Sequence, residues 1–300
     1  NQGLGLSLAQ QLAAQGANVT IVARTVSKLK AAVSEIETFC VDRSAQRIRH
    51  VACDLRDPAA VATMFDDACA PYAGHAPDVV FALAGAAGGI LGMFTELDVE
   101  TFRGAFDTNY FATLWTAREA ARRMARQAVE GHIILVSSVA ALVPFAGYSA
   151  YAPAKLAIRG LAEALRNELL AYKIRVSCHF PATILSPGLV EENKCKPPIT
   201  TEIEGPDEGQ TPEVIARKLI DGLARGHTFI TTDWIGDVFR NASRGLGPRN
   251  SIFYDGLMHA LSGVIAPVFR RIGDRQVRQS SWVKQHVAEL RASSSASPDK

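Results

Sequence analysis

The chain has 300 residues, 48% of them hydrophobic and 21% charged, which is enough apolar material for one α/β core with a modest appendage and excludes a disordered chain. A formal net charge of +2 gives no electrostatic reason for the chain as a whole to bind nucleic acid. Five cysteines, Cys40, Cys53, Cys69, Cys178 and Cys195, stand apart without a C-x-x-C pair, the pattern of reduced thiols facing the cytosol, so no metal site is expected.

In chain order, NQGLG sets Gly3, Leu4 and Gly5 ahead of a helical pattern over residues 6–15. Strands are expected at residues 19–24 (VTIVAR), 48–55 (IRHVACDL), 78–85 (DVVFALAG), 132–138 (HIILVSS), 175–182 (RVSCHFPA) and 228–233 (TFITTD). They are short, β-branched and almost continuously apolar, as strands buried on both faces are. Helices are expected between them at residues 27–39, 59–70, 99–129, 152–171 and 212–225. Strand and helix in strict turn predict a doubly wound parallel sheet, an α/β fold of the Rossmann type, over residues 1–238. Over residues 240–278 seven arginines face two acids around the apolar run LMHALSGVIAPVF, which is short of the roughly 20 residues that span a bilayer. Residues 239–290 are therefore either a packed helix or subunit contact, or an interfacial segment whose arginines face anionic headgroups. The Ser-rich end, residues 291–300, is expected to be unstructured.

The glycines let a backbone approach a pyrophosphate whose charge sits at a helix N-terminus, so Gly3, Leu4 and Gly5 are candidate dinucleotide contacts. An acid ending the strand at residues 19–24 would select NAD, but Arg24 stands there with Lys28 beyond it. A guanidinium pairs with a 2′-phosphate, so the choice favours NADPH. Asp54 and Leu55 end the strand at residues 48–55; Asp54 either binds the adenine edge or caps the helix that begins near Pro58.

The densest chemistry is in SSVAALVPFAGYSAYAPAK. Tyr151 and Lys155 are one helical turn apart and share a face, so the ammonium is expected to lower the phenol's pKa and let it exchange a proton with a carbonyl. Ser138 stands thirteen residues before Tyr151, at the end of a buried strand. With these residues the sequence resembles the short-chain dehydrogenase/reductase family, from Asn1 to about Asp233. The resemblance implies that Ser138 holds a substrate carbonyl, Tyr151 donates its proton, Lys155 binds the nicotinamide ribose and Asn109, in DTNYFAT, holds a water in the proton relay. It places Ala84 and Gly85, in ALAG, at the adenosine ribose, although the family's asparagine before Ala-Gly is absent. Ile184 and Ser186, in PATILS, stand in the nicotinamide loop, where the family's Pro-Gly start is replaced. Ser137 and Tyr148 are taken as supporting or substrate-side residues.

The stretch SPGLVEENKCKP, residues 186–197, expected as a loop, is similar to a segment of the 3-ketodihydrosphingosine reductases. That resemblance implies a lipid ketone as small-molecule substrate, NADPH as reductant and work at the cytosolic face of the endoplasmic reticulum membrane. It favours the interfacial reading for residues 252–272, and Glu191 or Glu192 as partner of a substrate ammonium. Another hydrophobic ketone, steroid, retinoid or acyl, and a non-catalytic NADPH-binding scaffold are the alternatives. The family also implies a homodimer or higher homo-oligomer through the helices at residues 99–129 and 152–171. In the family a first strand leads into a turn with three glycines, of which Gly3 and Gly5 match the last two. The expectation is thus that a central first strand, and with it an N-terminal membrane segment, precedes Asn1 in a longer protein.

Overall fold

Six short strands build the two sheets of this computed structural model, which describes residues 2–205 and 209–295. β1 (Val19–Ala23) pairs with β2 (Ile48–Ala52), Val19 opposite Ile48. β3 (Val79–Ala82), β4 (His132–Val136), β5 (Arg175–Phe180) and β6 (Phe229–Thr231) lie side by side in that order. Every pairing is parallel, as the alternation of strand and helix requires. All of β4 is buried, which is why HIILV is apolar on both faces.

Among the described residues the two sheets share no strand pairing; helix α1 (Gly3–Ala13) joins them. Leu4 and Leu8 pack with Ile134 of β4, Ile230 of β6, and Ile215 and Leu219 of α9 (Pro212–Ala224). Ala9 and Ala13 pack with Ile21 of β1 and with Leu29, Ala32 and Ile36 of α2 (Val26–Glu37). Each pair is four residues apart and so lies on one face. The principal core lies under α3 (Pro58–Cys69), α5 (Ala112–Arg126) and α6 (Tyr151–Glu168), with Phe65, Met124, Ile158, Phe180 and Phe229 at its centre.

Four expectations are revised. Helix α1 begins at Gly3 rather than residue 6, with Gly3 itself at φ +52°, a conformation that suits glycine. The helix expected over residues 99–129 is α4 (Val99–Phe106) and α5 joined by a π turn, Asp107–Phe111, centred on Asn109. Residues 186–197 hold a helix, α7 (Pro187–Cys195), followed by α8 (Pro198–Glu204). Each starts on a proline, whose fixed φ suits the first helical position and whose missing N–H costs nothing there. The unstructured end is shortened, because α12 (Ser281–Ser295) continues through residues 291–295, a formed helix adding residues more readily than starting anew. The rest of that expected tail, 296–300, lies outside the described residues.

The boundary expected at 238/239 falls inside α10 (Trp234–Ala242), whose Phe239 belongs to the principal core. Arg240 is buried between Asp255 (2.7 Å) and Asp237 (3.0 Å), tying α10 to α11 (Ile252–Gln279). This arginine is therefore no headgroup contact. The apolar run thought too short to cross a bilayer is part of this 28-residue helix, which is long and apolar enough to do so by length and composition, with a mean hydropathy of 1.4 over its best window.

Candidate active site

Ser138 follows the last residues of β4, where the buried strand ends and its Oγ accepts from Ala140 N (3.1 Å). Tyr151 is the first residue of α6, and Lys155 follows one turn later, 4% exposed. The Lys155 Nζ donates to Val136 O (3.2 Å) and stands 5.6 Å from the centre of the Tyr151 ring. Ser137 Oγ donates to Lys155 O (2.7 Å), so strand β4 fixes the helix that carries both groups.

Burial pulls Lys155 down to about 8, because the charged form loses solvation. Burial also pushes the Tyr151 phenol up, helped by the Glu192 carboxylate and opposed by a hydrogen bond from Ser138. The shift runs opposite to the lowering expected from the ammonium, and desolvation is its largest cause. A raised pKa keeps the proton on Tyr151 throughout the neutral range, which suits a proton donor.

Asn109 is fully buried in the π turn, and its side chain binds the loop after β3. Its Oδ1 accepts from Ala86 N, while Nδ2 donates to Ala86 O and Ala105 O, each at 3.0 Å. Both amide hydrogens are thus spent on backbone, and the side chain positions the loop. Gly85 lies where this loop passes the site. A Cβ on Gly85 would come within 2.7 Å of both Asn109 Oδ1 and Lys155 Nζ.

The candidate cofactor residues converge on the same edge. A Cβ on Gly3 would meet Ser186 Cβ at 3.2 Å, and one on Gly5 would meet Leu83 at 3.7 Å, so the start of α1 adjoins both the loop after β3 and the loop after β5. Leu4 is buried in the cluster against which Ile184 packs. Ile184 bridges to Gln210, with Thr183 O and Leu185 N making the flanking bonds. Ala84 is half-buried beside Gly85. Arg24 and Lys28 are exposed at the end of β1 and the start of α2. Asp54 does not cap α3; Asp57 does, accepting from Ala59 N (2.8 Å). Asp54 is instead held by Arg56 at 2.6 Å, whose hydrogen bonds, with a smaller contribution from Arg24, bring its carboxyl down to about 2. Leu55 packs against the principal core.

Lys155 Nζ, Gly85 and the start of α1 thus form a cradle that a single methyl group would obstruct, and its residues fit a nicotinamide dinucleotide. Sequence reasoning missed Arg56, which puts a second guanidinium beside Arg24; the DLRD run was its only signal. It also missed Glu204, which meets Tyr148 through the packing of α7 and α8, and Lys196, which pairs with Glu204 and Glu192. Glu191 forms an exposed pair with Lys194 (2.6 Å), whereas Glu192 turns inward to Tyr148 (2.8 Å).

The family model described as short chain dehydrogenase matches residues 1–196. The chain belongs to the short-chain dehydrogenase/reductase family. A 3-ketodihydrosphingosine reductase of Cryptococcus neoformans var. neoformans is 38% identical over 278 residues, covering 93% of this chain and 82% of that one. One from Aspergillus fumigatus is 35% identical over 309 residues, covering 94% and 82%. A short-chain dehydrogenase/reductase structure from Mycobacterium ulcerans superposes with a TM-score of 0.65 at 26% identity, covering 77% of this chain and 84% of that one. An archaeal alcohol dehydrogenase from Thermococcus sibiricus, complexed with 5-hydroxy-NADP, shares the fold with a TM-score of 0.63 at 18% identity, covering 77% and 91%. Family membership makes the nicotinamide dinucleotide the cofactor class of this site.

Proposed function

We propose that the protein reduces the ketone of 3-ketodihydrosphingosine with NADPH. The observation that carries this reading is the 38% identity, along 93% of the chain, to a reductase named for that ketone, together with a site that holds Ser138, Tyr151, Lys155 and Asn109. The cofactor supplies the hydride. Ser138 Oγ hydrogen-bonds the substrate carbonyl oxygen, and Tyr151 gives up its proton to that oxygen as negative charge develops on it. Lys155 binds the nicotinamide ribose through Nζ and offsets the charge left on the phenolate. Asn109 holds the loop that carries Gly85 in place against Lys155. Arg24 and Arg56 at the strand ends favour the 2′-phosphate of NADPH, so Arg24→Ala is expected to lower the preference for NADPH over NADH about tenfold in kcat/KM.

The substrate stays in a bilayer through its hydrocarbon chain, and α11 is the surface suited to meet it. Phe253, Leu257, Leu261, Val264, Val268 and Ile272 are spaced at three and four residues and are all exposed, forming an apolar stripe opposite the buried Asp255, Met258 and Ser262. Arg270, Arg271, Arg275 and Arg278 extend beyond it toward anionic headgroups. This reading puts the protein on the cytosolic face of the endoplasmic reticulum membrane. The exposed Leu156 and the small residues of α6 support a homo-oligomer packed through that helix.

The deciding experiment is NADPH oxidation on 3-ketodihydrosphingosine in detergent micelles, with NADH as control. Turnover restricted to NADPH is expected. Faster turnover of a steroid or retinoid ketone would overturn the substrate assignment.

A further inference from the structure

Tyr148 stands between two features that the proton-transfer chemistry does not use. On one side is an apolar cavity of about 230 Å³ lined by Met93, Phe94, Pro144, Phe145, Tyr148 and Ala152 among others. On the other, the Tyr148 hydroxyl touches two carboxylates, Glu192 Oε1 of α7 at 2.8 Å and Glu204 Oε1 of α8 at 2.6 Å. Lys196 Nζ bridges the same pair, 2.8 Å from Glu204 and 3.4 Å from Glu192, with only 6% of its side chain exposed. The Tyr148 and Tyr151 ring centres are 5.8 Å apart, so both features adjoin the proton donor.

Among the described residues the polar side is one positive charge and one proton short. Two carboxylates face one ammonium, leaving one net negative charge in a largely buried cluster. One phenolic hydrogen faces two carboxylate oxygens, so one of those contacts has no hydrogen to share. A cationic group with several donors corrects both shortfalls, and burial raises the value of doing so. The cavity has the opposite character, and α11 adjoins it: Arg270 Nη1 lies 3.4 Å from the oxygen of the lining residue Pro144.

We propose that Tyr148 divides the substrate space, with the ammonium of an amino ketone on Glu192 and Glu204 and its alkyl chain in the cavity walled by Met93, Phe94, Pro144 and Phe145. The proposal rests on the functional reading above, in which the amine is on the carbon next to the carbonyl. With the carbonyl oxygen at Tyr151 and Ser138, that nitrogen falls within a few ångströms of the reacting hydroxyl, on the Glu192 side. The chain leaves from the carbonyl's other side, past Phe145, toward the apolar stripe of α11. Specificity for a long-chain amino ketone then comes from two separable elements, and Glu192, Glu204 and Phe94 are specificity-determining residues.

The test compares three ketones in the same micelles: 3-ketodihydrosphingosine, its N-acetyl derivative, and a short-chain analogue with the same amino ketone head. Glu204→Gln is expected to lower the kcat/KM ratio of amine over N-acetyl ketone about tenfold and to leave the long-over-short ratio within about twofold. Phe94→Asp, at a side chain 69% exposed and so tolerant of exchange, is expected to do the reverse. Glu192→Gln on the other helix reads the amine ratio independently if the first change loosens α8. If both ratios stay put in every variant, or move together, the carboxylates and the cavity merely hold the fold and the proposal falls. If the wild-type protein reduces none of the three ketones, the functional reading falls with it; if it reduces 3-ketodihydrosphingosine but the ratios do not separate, only the division by Tyr148 is lost.

Discussion

Helices α6 and α11 both carry apolar residues at helical spacing, yet the molecule uses them in opposite ways. In α6 the inward face is Ala152, Ala154, Lys155, Ile158 and Ala162, packed against β4 and β5 and held there by Ser137 on the Lys155 carbonyl. In α11 only Asp255, Met258 and Ser262 are buried, and the larger apolar side chains face outward. Chemistry that depends on sub-ångström placement is thus built where packing is dense, while the contact assigned to a membrane is left on the outer face of a helix whose inner side is held by the Arg240 and Asp255 pair and by Phe269 against Phe239.

The strongest way to break this comparison is at the buried site. Tyr151→Phe keeps the ring and removes the proton, so reduction should fall about a thousandfold while NADPH still binds, as followed by quenching of protein fluorescence. Activity within tenfold of wild type would remove Tyr151 as donor. Next in size is the anchor of α11: Asp255→Ala leaves Arg240 buried without its full complement, and a loss of about 3 kcal/mol in urea unfolding is expected. A change below 1 kcal/mol would mean that α10 and α11 do not depend on the pair.

On the outer face, Leu257→Asp together with Val264→Asp should reduce co-sedimentation with phosphatidylcholine vesicles containing phosphatidylserine about tenfold or more without lowering the melting temperature. Unaltered binding would sever the stripe from the membrane. The smallest effect is a pH dependence. Lys155, brought down to about 8 by burial, is an ammonium below that pH and an amine above it. The kcat/KM for NADPH, which reports the free enzyme, should therefore decline by a few-fold as pH rises through about 8. In the same window the unfolded chain holds a proton on this lysine that the native chain has released, so the shift makes stability rise with pH. A decline caused by unfolding would show the opposite trend in a melting experiment.

Much of the site was legible in the residues. Tyr151 and Lys155 are neighbours on one helical turn, a local relation that spacing alone reveals. The six strands were legible too, because strands covered on both faces must be apolar throughout. What escaped was decided by contacts between distant segments. Nothing in SPGLVEENKCKP distinguishes Glu191 from Glu192; the packing of α7 and α8 sends one to solvent beside Lys194 and the other to Tyr148. Of the two roles open to Asp54, packing removed the helix cap, which Asp57 supplies, and gave Asp54 the neighbour Arg56.

By itself, then, the order of residues determined the parallel α/β architecture, the helix turn shared by Tyr151 and Lys155 and the basic residue at the end of β1, since each follows from periodicity or from neighbours within a few residues. Tertiary structure alone decided the direction of the Tyr151 shift, because desolvation depends on what surrounds a group and not on which residue precedes it. It also decided that α1 packs against both β1 and β4, that Asn109 binds the loop bearing Gly85, and that Tyr148 meets two carboxylates from different helices, all of them relations between segments far apart in the chain.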